Sequence, residues 1–283
     1  MKSLMLKLLT SVLLLSSAVF AQDTTQEQSI IAFLQKAIVP NENYAFDKVV
    51  ILQKEPIKEQ EGWMVYFVRI DLKLKKQEGK LLSINDMIFT NGKLISKDFV
   101  DVASNRSIKS HYTLAMPESA YNKEHLLAGK LDAPHKIVVF SDPLCPFCMD
   151  FLPEVITDVQ KSPDTFALFY YHFPLNIHPA SPTLIKAMMV AEEQGDKEMV
   201  LKMYKAFLDT KEQDEKLILE LFNQTFQKKV TREQINQAPI VQKLESDVAF
   251  ANQMMINGTP TVYLDGKNDE TKRSYRNFIK EKK

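Results

Sequence analysis

Cys145 and Cys148 are the only cysteines in a chain of 283 residues, and only Pro146 and Phe147 separate them. Two cysteines placed at random would meet at that spacing about one time in a hundred, so the spacing itself carries information. A bond between them closes a ring too small to staple a fold. Their chemistry is therefore thiol–disulfide exchange, with thiolate as the attacking species. A metal site is the sharpest rival. Cys145, Cys148, His172 and His178 form a Cys-x2-Cys and a His-x5-His that zinc could use. The stretch 149–171 between the pairs reads as a helix and a strand, well beyond finger spacing. A binding protein such as a chaperone, carrying a vestigial disulfide, is a third reading and is compatible with exchange activity.

The elements around the pair fit a reactive thiol. Lys136 to Phe140 is a short apolar, β-branched run of the kind found in buried strands. Cys145 to Gln160 then reads as a helix, with Phe151, Leu152, Val155, Ile156 and Val159 on one face. Pro146 suits the first helical turn, where its missing N–H costs nothing. A sulfur at that helix mouth faces unpaired N–H groups and the positive end of the dipole. Cysteines so placed titrate at about 3.5–7.5. Cys145, on the exposed rim, is the expected nucleophile, and Cys148, one turn inside, the shielded resolving thiol.

Further along, Phe166 to Phe173 reads as a second buried strand, followed by a long helical section from Ser181 to Ala238. Another helix runs from about Ile240 to Met255, and Thr261 to Leu264 is the last clear strand before the Asp265-Gly266 turn. Strand, helix, strand, helices, strand makes an α/β domain with a helical insertion over residues 131–283. Ahead of it, Gln26 to Ala37 and Ile38 form an amphipathic helix closed by Pro40. Runs at Lys48–Gln53, Trp63–Lys75, Leu81–Phe89 and Leu94–Val100 read as antiparallel strands, the last two joined at Asn91-Gly92. This small α+β domain spans 22–110, and the helix formers that follow Pro117 predict a linker helix within 111–130.

The N-terminus reads as a signal peptide. Lys2 and Lys7 precede an apolar run, Leu8 to Phe20, and Val19 and Ala21 offer small residues for cleavage after Ala21. The run is shorter than the roughly 20 residues needed to span a bilayer. Lys and Arg number 36, equal to Asp and Glu at 36, which leaves no electrostatic case for nucleic acid or anionic membrane.

The run from Lys130-Leu-Asp-Ala-Pro through the strand to Ser141-Asp-Pro-Leu-Cys-Pro-Phe-Cys resembles the catalytic domain of the periplasmic DsbG/DsbC family, within the thioredoxin superfamily. Asn257-Gly258-Thr259-Pro260-Thr261 is similar to that superfamily's second mark, a proline beside the cysteine pair. The resemblance implies a cis Thr259-Pro260 bond and a Thr259 backbone that meets an extended substrate chain close to Cys145. For 22–110 it is only architectural, and it implies a cystatin-like dimerisation domain. It further implies a periplasmic enzyme without a cofactor that reduces or isomerises disulfides of exported proteins and is recharged by a membrane redox partner. The alternative is a dimeric oxidase running in the opposite direction. Two departures stand out. Phe147 occupies the place of the DsbA histidine, which implies a less oxidising couple, and Val139 replaces the buried carboxylate of thioredoxin.

Other candidates have plainer explanations. Asp142 reads as an Asp-Pro turn residue, and His172 and His178 as solvated histidines at a strand end and in a loop. Met188, Met189, Met199, Met203, Met254 and Met255 read mostly as core filler, with a soft substrate groove as the second use. Trp63 reads as a packing residue.

Overall fold

The computed structural model describes residues 26–37, 43–76 and 81–279. The signal peptide expected at 1–21 and the helix end expected at Ile38 lie outside the described residues. The chain divides into two compact units at Tyr112/Thr113.

In the first unit, helix α1 (26–37) lies on a four-stranded antiparallel sheet ordered β1-β2-β3-β4. The strands are β1 (Tyr44–Pro56), β2 (Met64–Leu74), β3 (Leu81–Thr90) and β4 (Ile95–Ser96). Ile30 and Leu34, one turn apart, bury against Val49, Tyr66, Val68 and Ile88. Val65 to Val68 are all fully buried, because the second face of β2 is covered as well. On that side Phe89 meets Phe99 and Tyr112 edge-on, and Trp63 meets Phe99 with ring centroids 4.9 Å apart. The returning strand is shorter than its sequence pattern predicts. It breaks after Ser96, and Val100–Asp101 (β5) pairs instead with Arg106–Ser107 (β6). Among the described residues, β3 pairs with β4 only through Phe89 and Thr90. Its outer edge carries exposed Leu81, Leu82 and Ile84.

The second unit is built on a five-stranded mixed sheet, ordered β11-β10-β8-β9-β7. Its strands are β7 (Leu126–Gly129), β8 (His135–Ser141), β9 (Phe166–His172), β10 (Thr261–Leu264) and β11 (Lys267–Asn268). Strands β8 and β9 are parallel and are joined through helix α2 (Pro146–Lys161), a crossover that buries both strands. Four helices then follow: α3 (Ser181–Glu193), α4 (Met199–Lys205), α5 (Glu215–Phe226) and α6 (Arg232–Ile235). The long α7 (Ala238–Gln253) returns the chain to β10. Met188, Met189, Met199 and Met203 all lie in the core formed by these helices and α2.

The linker helix expected within 111–130 does not form. Residues 113–117 run without regular structure, Glu118–Ala120 makes one 3-10 turn, and Leu126–Gly129 becomes β7, antiparallel to β9. The second unit therefore takes in residues ahead of 131. Edge pairing overrides the helix propensity of His125-Leu-Leu-Ala, and Gly129 shows why the segment must end there. Its φ is +82°, and a Cβ at that point would run into the Phe166 carbonyl oxygen.

Candidate functional site

Strand β8 delivers the turn Ser141-Asp142-Pro143-Leu144, and the turn delivers Cys145 to the mouth of α2. Cys145 is the N-cap residue, with φ −78° and ψ 118°, and Pro146 opens the helix. The Cys145 carbonyl accepts the N–H groups of Cys148 at 2.9 Å and Met149 at 3.0 Å. This geometry sets the Cys145 sulfur beside the N–H groups of Phe147 and Cys148 in the first turn.

Asp142 fixes the turn from below. Its carboxylate is fully buried, and one oxygen accepts Leu144 N–H at 2.7 Å and Ser181 Oγ at 2.6 Å. The other accepts Leu175 N–H at 2.6 Å and meets His178 Nδ1 at 3.0 Å. One side chain thus ties the active-site turn to the loop 173–181. Its part is larger than that of a simple turn residue, and the sequence signal for it was the Asp-Pro pair alone.

The second mark lies where the motif predicts. The Thr259-Pro260 bond is cis, and the Thr259 carbonyl accepts from Cys145 Sγ at 3.4 Å. The hydroxyl of Thr259 is buried and has no hydrogen-bond partner. It favours thiolate at Cys145.

The two thiols are strongly asymmetric. A hydrogen bond with Cys148 leads in pulling Cys145 down to about 6; burial opposes it, while Thr259 and the N–H groups of Cys148 and Phe147 add to it. Burial drives Cys148 far the other way, reinforced by its contact with Cys145 and opposed by the Ser141 hydroxyl and the Asp142 N–H. Cys145 is thus the group that ionises first. It is not rim-exposed, however: it is 4 % exposed and Cys148 0 %, whereas Phe147 between them is 73 % exposed. The packing of α2 against the Thr259 segment covers the sulfur, and the phenyl ring projects instead.

A groove of about 570 Å³ opens beside the pair, lined by Phe147, Asp150, Phe151, Gly258, Thr259, Pro260, Thr261, Thr271, Lys272 and Arg273. His172 and His178 are not drawn to the cysteines as ligands. His178 serves Asp142, and His172 Nδ1 meets Asp247 at 2.7 Å. Asp247 also meets His125 Nε2 at 2.7 Å. His172 is buried, not solvated as a strand-end histidine would be. Among the described residues, no three His, Cys, Asp or Glu side chains stand together as a metal site.

The fold and the thiol pair define a thioredoxin-type thiol–disulfide oxidoreductase. Residues 121–281 match the family described as Thioredoxin, and the chain belongs to that family. No curated protein matches the chain. Among solved structures, DsbA2 of Pseudomonas aeruginosa is similar at 23% identity and a TM-score of 0.39, over 52% of this chain and 89% of that one. BdbD of Bacillus subtilis, in its oxidised form, is similar at 21% identity and a TM-score of 0.44, over 58% of this chain and 92% of that one. ScsC of Proteus mirabilis is similar at 18% identity and a TM-score of 0.42, over 56% and 72% respectively.

Proposed function

We propose that the chain is a periplasmic thiol–disulfide oxidoreductase that reduces or isomerises disulfides of exported proteins, acting as a homodimer of the DsbG/DsbC kind. The observation that carries the reading is the pairing of a low-pKa Cys145 at the α2 mouth with a buried, neutral Cys148 behind it. In the reduced form the Cys145 thiolate attacks a substrate disulfide, forms a mixed disulfide and releases one substrate thiolate. A second substrate thiolate then displaces Cys145, which isomerises the substrate, or Cys148 displaces the substrate and the enzyme is left oxidised. A membrane reductase would return the two electrons. In this reading the Thr259 backbone and Pro260 form the substrate shelf, supported by their place between Cys145 and the groove. The first unit is the dimerisation module, cystatin-like in its helix on a four-stranded antiparallel sheet, and the exposed Leu81, Leu82 and Ile84 of β3 support that role.

A second reading, an oxidase recharged by a quinone-linked membrane enzyme, is favoured by one specific observation. Holding Cys145 down to about 6 stabilises the reduced enzyme and makes its disulfide a stronger donor. Two measurements decide between them. Equilibration with glutathione should give a potential between about −120 and about −270 mV, the DsbA and thioredoxin values. Acid-trapping of the pair in cells should find free thiols. A DsbA-like potential with a resting disulfide would establish the oxidase instead.

A further inference from the structure

A second groove, of about 550 Å³, opens in the same unit as the thiol pair. One wall is the loop 173–177 after β9. The other is Val248 and Asn252 of α7, with Ile256 and Asn257 just beyond the helix. This groove shares no lining residue with the one beside Phe147, yet the two are lined from either side of one peptide bond: Asn257 belongs to the second and Gly258 to the first. Thr259, whose carbonyl accepts from Cys145 Sγ, is the next residue. The second groove therefore begins two residues from the backbone that meets the thiol, about 7 Å of chain at most.

Both walls are tied to the thiol site or to each other. Phe173 N–H donates to the Ser141 carbonyl at 2.9 Å and Leu175 N–H to the Asp142 carboxylate at 2.6 Å, so the turn that carries Cys145 also holds the loop. Asp247, next to Val248, accepts the His172 N–H at 3.1 Å and meets its ring at 2.7 Å, and His172 is next to Phe173. That contact sets the spacing of the walls, so the groove is formed before anything enters it. Its chemistry differs from that of the first groove, which carries Asp150, Lys272 and Arg273. None of its nine lining residues is ionisable: six are apolar, and Asn176, Asn252 and Asn257 are neutral amides. Ile177 stands 77 % exposed on the loop, while Phe173, Leu175 and Val248 are half-buried. Such a surface gains when an apolar group covers it.

We propose that this uncharged groove is a second substrate subsite, which takes an apolar side chain two residues from the substrate cysteine that bonds to Cys145. The assignment rests on the oxidoreductase function proposed above and names the substrate class that function favours: an extended chain with a large apolar residue on one flank of its cysteine. Side chains alternate along an extended chain, so those two residues either side of the cysteine face the enzyme together with it. Two residues span about 7 Å, which is the reach from Thr259 to the groove. Main-chain contact along Thr259 supplies affinity common to all substrates, and the groove supplies the selection. A charged side chain would lose its water there without meeting an opposite charge.

The test uses the reduced full-length protein and short Gly/Ser peptides, each with one cysteine held as its mixed disulfide with thionitrobenzoate. The Cys145 thiolate attacks the peptide sulfur, a Cys145–peptide disulfide forms, and the electron pair leaves on thionitrobenzoate, whose absorbance gives the rate. One peptide is plain, and two carry a single Leu, either two residues before or two residues after the cysteine. At least one Leu peptide should react about tenfold faster than the plain one, the gain expected for partial burial of that side chain. Asp in place of that Leu should give no gain. Ile177→Asp, at an exposed position, should return the Leu-to-plain ratio to within twofold of one and make a Lys peptide the faster substrate. Asn252→Asp on the facing wall should do the same. The readout is a ratio within each protein, so a change in thiol reactivity cancels. A ratio near one for both Leu peptides in the wild type, or a Leu gain that survives both variants, would overturn the subsite. If the wild type released no thionitrobenzoate from any peptide, the oxidoreductase reading would fall first and take the subsite with it.

Discussion

At the scale of single residues, the site works by making two identical side chains unlike each other. Cys145→Ser should abolish exchange, whereas Cys148→Ser should keep the first attack and accumulate mixed disulfides, visible on non-reducing gels. Faster alkylation of Cys148 than of Cys145 would reverse these roles. The rate of Cys145 alkylation should fall as pH drops through about 6, where its thiolate is lost. Thr259→Val removes the buried hydroxyl that favours this thiolate and should move the midpoint upward, with little change in melting temperature. The same titration links to stability. The folded value of about 6 lies below an unfolded thiol at about 8.5. The stability that Cys145 contributes to the reduced protein is therefore full above about 8.5 and is lost as pH falls through about 6. A melting-temperature gap between reduced and oxidised protein that fails to narrow over this window would contradict the assignment.

At the scale of elements, α7 is anchored by one buried carboxylate. Asp247 is fully buried in α7, and its oxygens meet His125 ahead of β7 and both the ring and the N–H of His172 on β9. Burial pushes its carboxyl up, but the two histidine hydrogen bonds prevail and hold it well below the usual carboxylate range. Asp247→Ala should cost about 3 kcal/mol in denaturant unfolding, since it strips partners from the buried His172 ring and the half-buried His125 ring. This clamp was invisible in the sequence because its members come from three separated elements. The cysteine helix was legible for the opposite reason: an apolar strand, an Asp-Pro turn, Pro146 at the first turn and an apolar helical stripe are all local signals. Strand β7 was misread because His125-Leu-Leu-Ala favours helix locally, and only pairing with β9 decides otherwise. Tyr204 meets Ser141 across 63 residues, a distance that no spacing rule reaches.

At the scale of the whole molecule, the proposed isomerisation would divide its labour between the two units. The first holds no cysteine and carries exposed Leu81, Leu82 and Ile84 on β3, and the second holds both cysteines. Two copies joined through the first unit would hold a substrate between two Cys145 sulfurs at high local concentration. Light scattering should therefore report a dimer at micromolar concentration, and a monomer would defeat the assembly. A fragment starting at Thr113, which retains β7, should be monomeric, keep thiol exchange and lose isomerase activity. One further consequence belongs to Trp63, the single tryptophan, which sits against Phe99 in the first unit. Its emission is a native optical label for that unit alone, while helices α2 to α7 in the second unit dominate far-ultraviolet ellipticity. A single melt followed at both signals thus measures, without any engineered dye, whether the two halves of the protein come apart together or in turn.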